Sequence, residues 1–144
     1  MNKIKVLFLC TNNSARSQMA EAFLRSYAGD RFEAYSAGIE PKDIHPLAKK
    51  VMNELGIDIS GQHSKALKDY MGKIHFGYLI TVCSEADANC PTTFPGMGKR
   101  LRWDLEDPAK FKGTDHEKLN KFREIRDQIR KRIVEWVNNQ TANA

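Results

Sequence analysis

The chain has 144 residues, with 23 Lys and Arg, 18 Asp and Glu, 4 His and 3 Cys, which suits one domain with its own core. Hydrophobic content of 41% and charged content of 28% exclude a disordered tail protein and a coiled-coil rod, and three cysteines are too few and too odd in number for a disulfide scaffold. The net charge of +5 is spread along the chain, with no helix-turn-helix, zinc-finger or RNP signature beside it, so no nucleic-acid partner is expected.

In chain order, Ile4 to Leu9 is apolar apart from Lys5, the pattern of a strand covered on both faces. Two lysines before it imitate a signal peptide. The stretch is too short for an h-region, however, and no small-residue cleavage site follows. No apolar run reaches membrane-spanning length. The chain is expected to be cytosolic, without a membrane partner, where free cysteines usually mean redox or catalytic chemistry.

Residues 10–16 have no periodicity and read as a loop. A helix follows from Ser17, with Met19, Ala22, Phe23 and Tyr27 expected inward. Phe32 to Ser36 is a second short strand, ended by Ala37-Gly38. Pro46 in a first turn, then Leu47, Val51, Met52 and Leu55, gives a second helix that Gly56 stops. A short helix is expected over Ala66 to Met71 and a third strand over Gly77 to Val82. A long polar loop over Ser84 to Gly98 and a fourth strand over Arg100 to Trp103 follow.

Thr114-Asp115-His116-Glu117 is a capping box. Leu119, Phe122, Ile125, Ile129, Ile133 and Trp136 follow it at helical spacing as a core stripe. Arg130-Lys131-Arg132 reads as the solvated face of that helix. The organisation is one domain over residues 1–139 and a frayed polar tail over 140–144.

Strands alternating with helices argue for right-handed βαβ units and a parallel sheet. In such sheets the ligand sits at the carboxyl ends of the strands. Cys10 and Cys83 each end a central strand, so adjacency of the first and third strands would put both sulfurs on one rim.

Cys10 and Arg16 are separated by five residues, between a strand and a helix. A loop that feeds a helix N-terminus turns its amides inward and makes an anion nest. Arg16 adds a bidentate fork for a tetrahedral oxyanion. The same positive field favours a nucleophilic thiolate at Cys10, and Ser17 is placed to donate a hydrogen bond to it. The alternative, a small buried residue that merely ends a strand, leaves this order of strand, loop, arginine and helix unexplained.

Cys10-Thr11-Asn12-Asn13-Ser14-Ala15-Arg16-Ser17 resembles the active-site loop of the low-molecular-weight protein tyrosine phosphatases. It resembles still more closely that of the thioredoxin-coupled arsenate reductases built on the same fold. Gln18-Met19-Ala20-Glu21 and Tyr35-Ser36-Ala37-Gly38 match the reductase branch. The resemblance runs from Lys5 to the final helix. It implies a single-domain α/β fold, a four-stranded parallel sheet flanked by helices in strand order 2-1-3-4. It also implies that Thr11 to Ser17 bind the oxyanion around the nucleophile Cys10, with Asn13 and Ser14 shaping the loop.

Val82 to Pro91, which contains Cys83 and Cys90, is similar to the reductases' redox loop. A phosphatase needs one cysteine, because water hydrolyses its phosphocysteine. A reductase must supply two electrons, and two thiols closing to a disulfide supply them. The resemblance implies a relay from Cys10 to Cys83 to Cys90, ending in a Cys83–Cys90 disulfide that thioredoxin reduces. Fully extended, this segment would hold the two cysteines beyond disulfide reach, so the loop must bend. Their spacing is too wide for a zinc knuckle, and no histidine lies at ligand spacing.

Loss of oxygen from arsenate needs a proton. Within Trp103-Asp104-Leu105-Glu106-Asp107-Pro108, chemistry alone leaves Asp104, Glu106 and Asp107 open. The resemblance singles out Asp107 through its Asp-Pro pair, which Pro108 stiffens. Ala109 stands where the phosphatases usually carry a tyrosine for phosphotyrosine. Asn12 replaces a usual glycine; asparagine tolerates positive φ, so the loop is expected to survive. Ala15 stands where some reductases have a further cysteine that the relay does not need. Some members bind potassium near Asn13, Glu21, Ser36 and an aspartate. Lys65 occupies that last position, its ammonium is expected to stand in for the cation, and no metal is expected. The expected activity is arsenate reduction by a monomer without cofactor, with phosphate and sulfate as competing oxyanions. The alternatives are a low-molecular-weight phosphatase and a non-catalytic oxyanion or redox sensor.

Overall fold

A computed structural model describes residues 3–83 and 97–142; of Met97, Thr141 and Ala142 it describes the backbone alone. Cys90 and most of the polar loop expected over Ser84 to Gly98 lie outside the described residues.

The strands β1 (Ile4–Cys10), β2 (Phe32–Gly38), β3 (Phe76–Thr81) and β4 (Met97–Arg102) form one parallel sheet in the order β2-β1-β3-β4. Three α-helices accompany them among the described residues: α1 (Arg16–Ala28), α2 (Pro46–Asn53) and α3 (Asp115–Ala142). Two 3₁₀ turns, Leu67–Asp69 and Pro108–Lys110, are also present among the described residues. This is the α/β architecture and strand order that the resemblance implies. Among the described residues no helix is long and apolar enough to cross a membrane.

Burial explains the strand pattern. Val6, Leu7, Phe8 and Leu9 of the central β1 are wholly buried, as an apolar strand covered on both faces must be. Its one charge, Lys5, pairs with Glu33 across the β1–β2 ladder at 3.4 Å. Phe122, Ile125, Ile129 and Ile133 form the buried stripe of α3. Trp136 adds a ring cluster, its centroid 5.1 Å from Phe32 and 5.0 Å from Tyr78.

Register sets the working edge. Cys10 pairs with Gly38 on one side, and Leu9 pairs with Thr81 on the other. Cys10 and Cys83 therefore leave neighbouring strands at the same carboxyl-terminal edge.

Three local expectations are corrected. Tyr27 is 47% exposed, not inward; its hydroxyl donates to Asn138 Oδ1 at 3.1 Å, so its polar tip is met on the surface. β4 begins at Met97, inside the stretch expected to be loop, and ends at Arg102. A Cβ on Gly98 would come within 2.4 Å of the Gly77 carbonyl oxygen, so this strand pairing requires glycine there. The chain is helical, not frayed, over residues 140–142. Tyr78 of β3 donates to Gln140 Oε1 at 3.0 Å and so ties the last turns of α3 to the sheet.

Candidate active site

Residues 11–15 join the central strand to α1, and their carbonyl groups are claimed from outside. Ile39 N donates to Cys10 O, Glu40 N to Thr11 O at 2.8 Å, and Lys42 N to Asn12 O at 2.9 Å. Gln18 Nε2 and Ser64 Oγ both donate to Asn13 O at 3.0 Å, and His45 N donates to Ser14 O at 2.9 Å. A trans peptide holds its N–H opposite its C=O, so carbonyls held outward leave the amides turned in. At the end of the loop, Ala15 N-caps α1 without a side-chain cap. Uncapped first-turn amides of this kind bind anions.

Asn13 is the left-handed residue, with φ of 52°. The expectation placed that tolerance at Asn12; Asn12 is not among the positive-φ residues and is held instead by Nδ2 donating to Glu40 O at 2.8 Å. Asn13 can hold its conformation because its side chain is fully used. Oδ1 accepts from Lys65 N at 2.9 Å and Gln18 Nε2 at 3.0 Å, and Nδ2 donates to Ser17 Oγ at 2.8 Å. Gly38 makes room for the loop. A Cβ there would lie 2.8 Å from Asn13 N and 2.9 Å from Thr11 O.

Two groups converge on the buried Cys10 sulfur. Asn13 N donates to it at 3.0 Å, and Ser17 Oγ lies 2.9 Å away. Ser17 Oγ accepts from Asn13 Nδ2 at 2.8 Å, which leaves its own hydrogen available to a thiolate at Cys10. Thr11 turns the other way, with Oγ1 3.4 Å from Cys83 Sγ. Thr11 thus links the oxyanion loop to the second thiol, which is 4% exposed.

Arg16, 8% exposed, heads α1. Its Nη1 donates to Leu105 O at 2.9 Å, and its Nη2 stands 3.4 Å from Asp107 Oδ2. The other Asp107 oxygen, Oδ1, accepts from Ala109 N at 3.0 Å as the cap of the Pro108 turn. Asp104 and Glu106 are taken up by other cations: Asp104 pairs with Arg102 at 2.9 Å and Glu106 with Lys121 at 3.2 Å. Geometry therefore separates three acids that chemistry left open. Arg16, Cys83 and Asp107 face one cavity of about 430 Å³, with Arg102 and Lys110 also on its lining.

Sequence reasoning missed the outer support. Gln62 Nε2 donates to Gln18 Oε1 at 2.7 Å, Ser64 Oγ donates to Lys42 O, and Gly38 N donates to Lys65 O at 2.8 Å. Residues 62–65 show no regular hydrophobic pattern, so the sequence carries no signal of what they hold. Lys65 does reach the expected group. Its Nζ lies 3.3 Å from Glu21 Oε1 and 3.2 Å from Ser36 Oγ. Glu21 also accepts from Ser36 Oγ at 2.6 Å and from Arg25. A buried carboxylate is thus met by two cations and a hydroxyl.

A strand, a loop around a buried thiol, an arginine-headed helix and an acid on a facing turn define an enzyme of the low-molecular-weight phosphatase fold. The model of the low molecular weight phosphotyrosine protein phosphatase family matches residues 5–143. An arsenate reductase of Halalkalibacterium halodurans is 47% identical over 92% of this chain and 94% of its own length. A solved arsenate reductase in the phosphate-binding state superposes with a TM-score of 0.79 at 33% identity, covering 94% of this chain and 98% of that one. A thioredoxin-dependent arsenate reductase of Corynebacterium glutamicum gives 0.74 at 33% identity, over 99% of this chain and 64% of that one. The chain belongs to the low molecular weight phosphotyrosine protein phosphatase family, in the branch that the arsenate reductases form.

Proposed function

We propose that this protein reduces arsenate to arsenite through Cys10, Cys83 and Cys90, with thioredoxin as the reductant. The observation that carries the reading is the second thiol at the mouth of the oxyanion loop, Cys83 Sγ against Thr11 Oγ1. Hydrolysis has no use for it. The 47%-identical relative bears the same activity in its name, and a similar solved reductase is described in a phosphate-binding state, which supports a tetrahedral anion as substrate. Thioredoxin comes from the Corynebacterium protein's description.

The residues divide the work as follows. The amides of Thr11 to Ser17 and the Arg16 guanidinium hold arsenate. The Cys10 thiolate attacks arsenic and displaces one oxygen, which Asp107 protonates as it leaves. Cys83 then attacks Cys10 Sγ. The S–As bond breaks with its electron pair going to arsenic, so As(V) leaves as As(III) and a Cys10–Cys83 disulfide forms. Cys90 attacks Cys83, frees the Cys10 thiolate, and leaves a Cys83–Cys90 disulfide for a dithiol partner to reduce. Arg16 now bonded to the Leu105 carbonyl and facing Asp107 must share its fork with the incoming anion, so binding and the acid are coupled through one side chain. The enzyme acts as a cytosolic monomer without cofactor, and Lys65 removes any need for potassium beside Glu21.

NADPH oxidation in the presence of arsenate, thioredoxin and thioredoxin reductase tests this. Arsenate-dependent turnover is expected. Its absence, together with steady aryl phosphate hydrolysis that survives Cys83→Ser, would establish a phosphatase instead. Cys90→Ser is expected to release at most one arsenite per enzyme; repeated turnover with thioredoxin as sole reductant contradicts the relay.

A further inference from the structure

His45 lies outside every role assigned above, yet it contacts the oxyanion loop, α2 and α3. Its backbone N–H donates to Ser14 O of the oxyanion loop at 2.9 Å. Its ring N-caps α2, with Nδ1 accepting from Leu47 N at 3.1 Å. The same ring lies on Phe122 of α3, with centroids 4.7 Å apart. Asp107 is close enough for its charge to act on the imidazole.

We propose that His45 is a positioning residue: its neutral imidazole holds the oxyanion loop and the start of α2 in register, and its protonation releases them. The inference rests on the reading of Thr11 to Ser17 as an oxyanion loop and of Asp107 as its acid. The tautomer follows from the cap. An Nδ1 that accepts from Leu47 N–H carries no proton, so the neutral ring holds its hydrogen on Nε2. Protonation must place a hydrogen on Nδ1, directly against the Leu47 amide, and the cap is lost. Residue 45 then no longer fixes the chain that supports Ser14 O, and a cation appears beside Asp107.

The charged surroundings set the direction. Asp107 comes from the acid turn, while Asp43, Lys49 and His63 line the same groove as His45. Lys121 on α3 is taken up by Glu106 and Glu124. Burial lowers the His45 pKa from 6.5, and Asp107 opposes that without reversing it. The native protein therefore binds fewer protons here than the unfolded chain below 6.5. The cap is fully formed above that value and weakens as pH falls through the lowered one.

His45→Asn supplies the control, because asparagine caps helices through a side-chain oxygen and does not titrate. Sulfate is the probe, since it stays a dianion where arsenate changes charge, and its binding needs no turnover. Sulfate affinity is measured by titration calorimetry on the full chain from about pH 7.5 to about pH 5.5. Wild type is expected to lose about fivefold more affinity than His45→Asn over that range, the worth of one helix cap. Parallel pH dependence in the two proteins overturns the proposal. Absence of sulfate binding in both overturns the oxyanion-loop reading, and the His45 role with it. Should the variant not fold, NMR of the wild type decides. The His45 ring and the Leu47 and His45 amides are expected to shift along one curve centred below 6.5. A ring that titrates without moving those amides overturns the role.

Discussion

The oxyanion loop and the acid segment both bound the catalytic edge of the sheet, but they are built differently. Asn13, Ser17 and Gln18 are wholly buried, while the side chains of Asp104 and Glu106 are 63% and 57% exposed. On the loop side Asn13, Ser17 and Gln18 meet partners in low dielectric, where a bond is strong and a missing one is costly. On the acid side the ion pairs lie in solvent and are screened. The exception is Asp107, 21% exposed at the side chain and set against Arg16. The loop geometry is thus fixed by buried bonds, whereas Asp107 is held at one oxygen by Ala109 N and at the other by Arg16. Under the proposed reaction, pre-set geometry for the anion and a more exposed source of protons suit capture followed by departure of oxygen.

Asp107→Asn gives the largest separation between the two sides. It is expected to lower kcat for arsenate by about 10²- to 10⁴-fold while leaving sulfate affinity unchanged or higher, because Arg16 loses a competing carboxylate. A parallel fall in affinity would show that the acid turn builds the binding site too, and the contrast would collapse. Gly38→Ala is next. Its Cβ meets only loop backbone at 2.8 to 2.9 Å, so Thr11 to Asn13 must move. A fall in kcat/KM of about 10- to 100-fold is expected, with the circular dichroism spectrum unchanged. Lys65→Met comes third. It removes one of two cations from the buried Glu21 carboxylate and is expected to cost about 1–3 kcal/mol, read as a lower midpoint in denaturant. Exchange of sodium for potassium is expected to leave the KM of the unsubstituted protein where it was.

The loop side was the more legible in sequence, and locality is the reason. Cys10, Arg16 and Ser17 sit within eight consecutive residues, so strand, loop and helix could be read in order. The strands were legible because β1 must be apolar on both faces. What escaped was set at a distance. Whether Asn12 or Asn13 takes the left-handed conformation depends on Lys65 N and Gln18 Nε2 at the Asn13 amide, and Lys65 lies over fifty residues downstream. The start of β4 hides in two residues, Met97 and Gly98, whose strand character comes from close approach to Gly77. Among Asp104, Glu106 and Asp107 chemistry alone does not choose; the Asp-Pro resemblance points to Asp107, and the Arg16 side chain ends beside it. His45 escaped too, because a histidine cap carries no strong sequence signal.

The smallest expected effect lies in the two rival acids and tests the contrast from its weak side. Asp104 pairs with an Arg102 that is itself 52% exposed. Glu106 shares Lys121 with Glu124, so loss of its charge leaves the ammonium still paired. Solvent-exposed pairs of this kind are worth about 0–1 kcal/mol. Asp104→Asn and Glu106→Gln are therefore expected to keep kcat within about twofold of wild type in salt near 0.15 M. Both carboxylates line the cavity with Asp107, so proximity to substrate alone would give all three the same consequence. A loss at Asp104 or Glu106 that matched Asp107→Asn would mean that the arginine contact does not select the acid. Near-silent changes at both would mean that it does, because contact with a buried guanidinium is what sets Asp107 apart from its two neighbours.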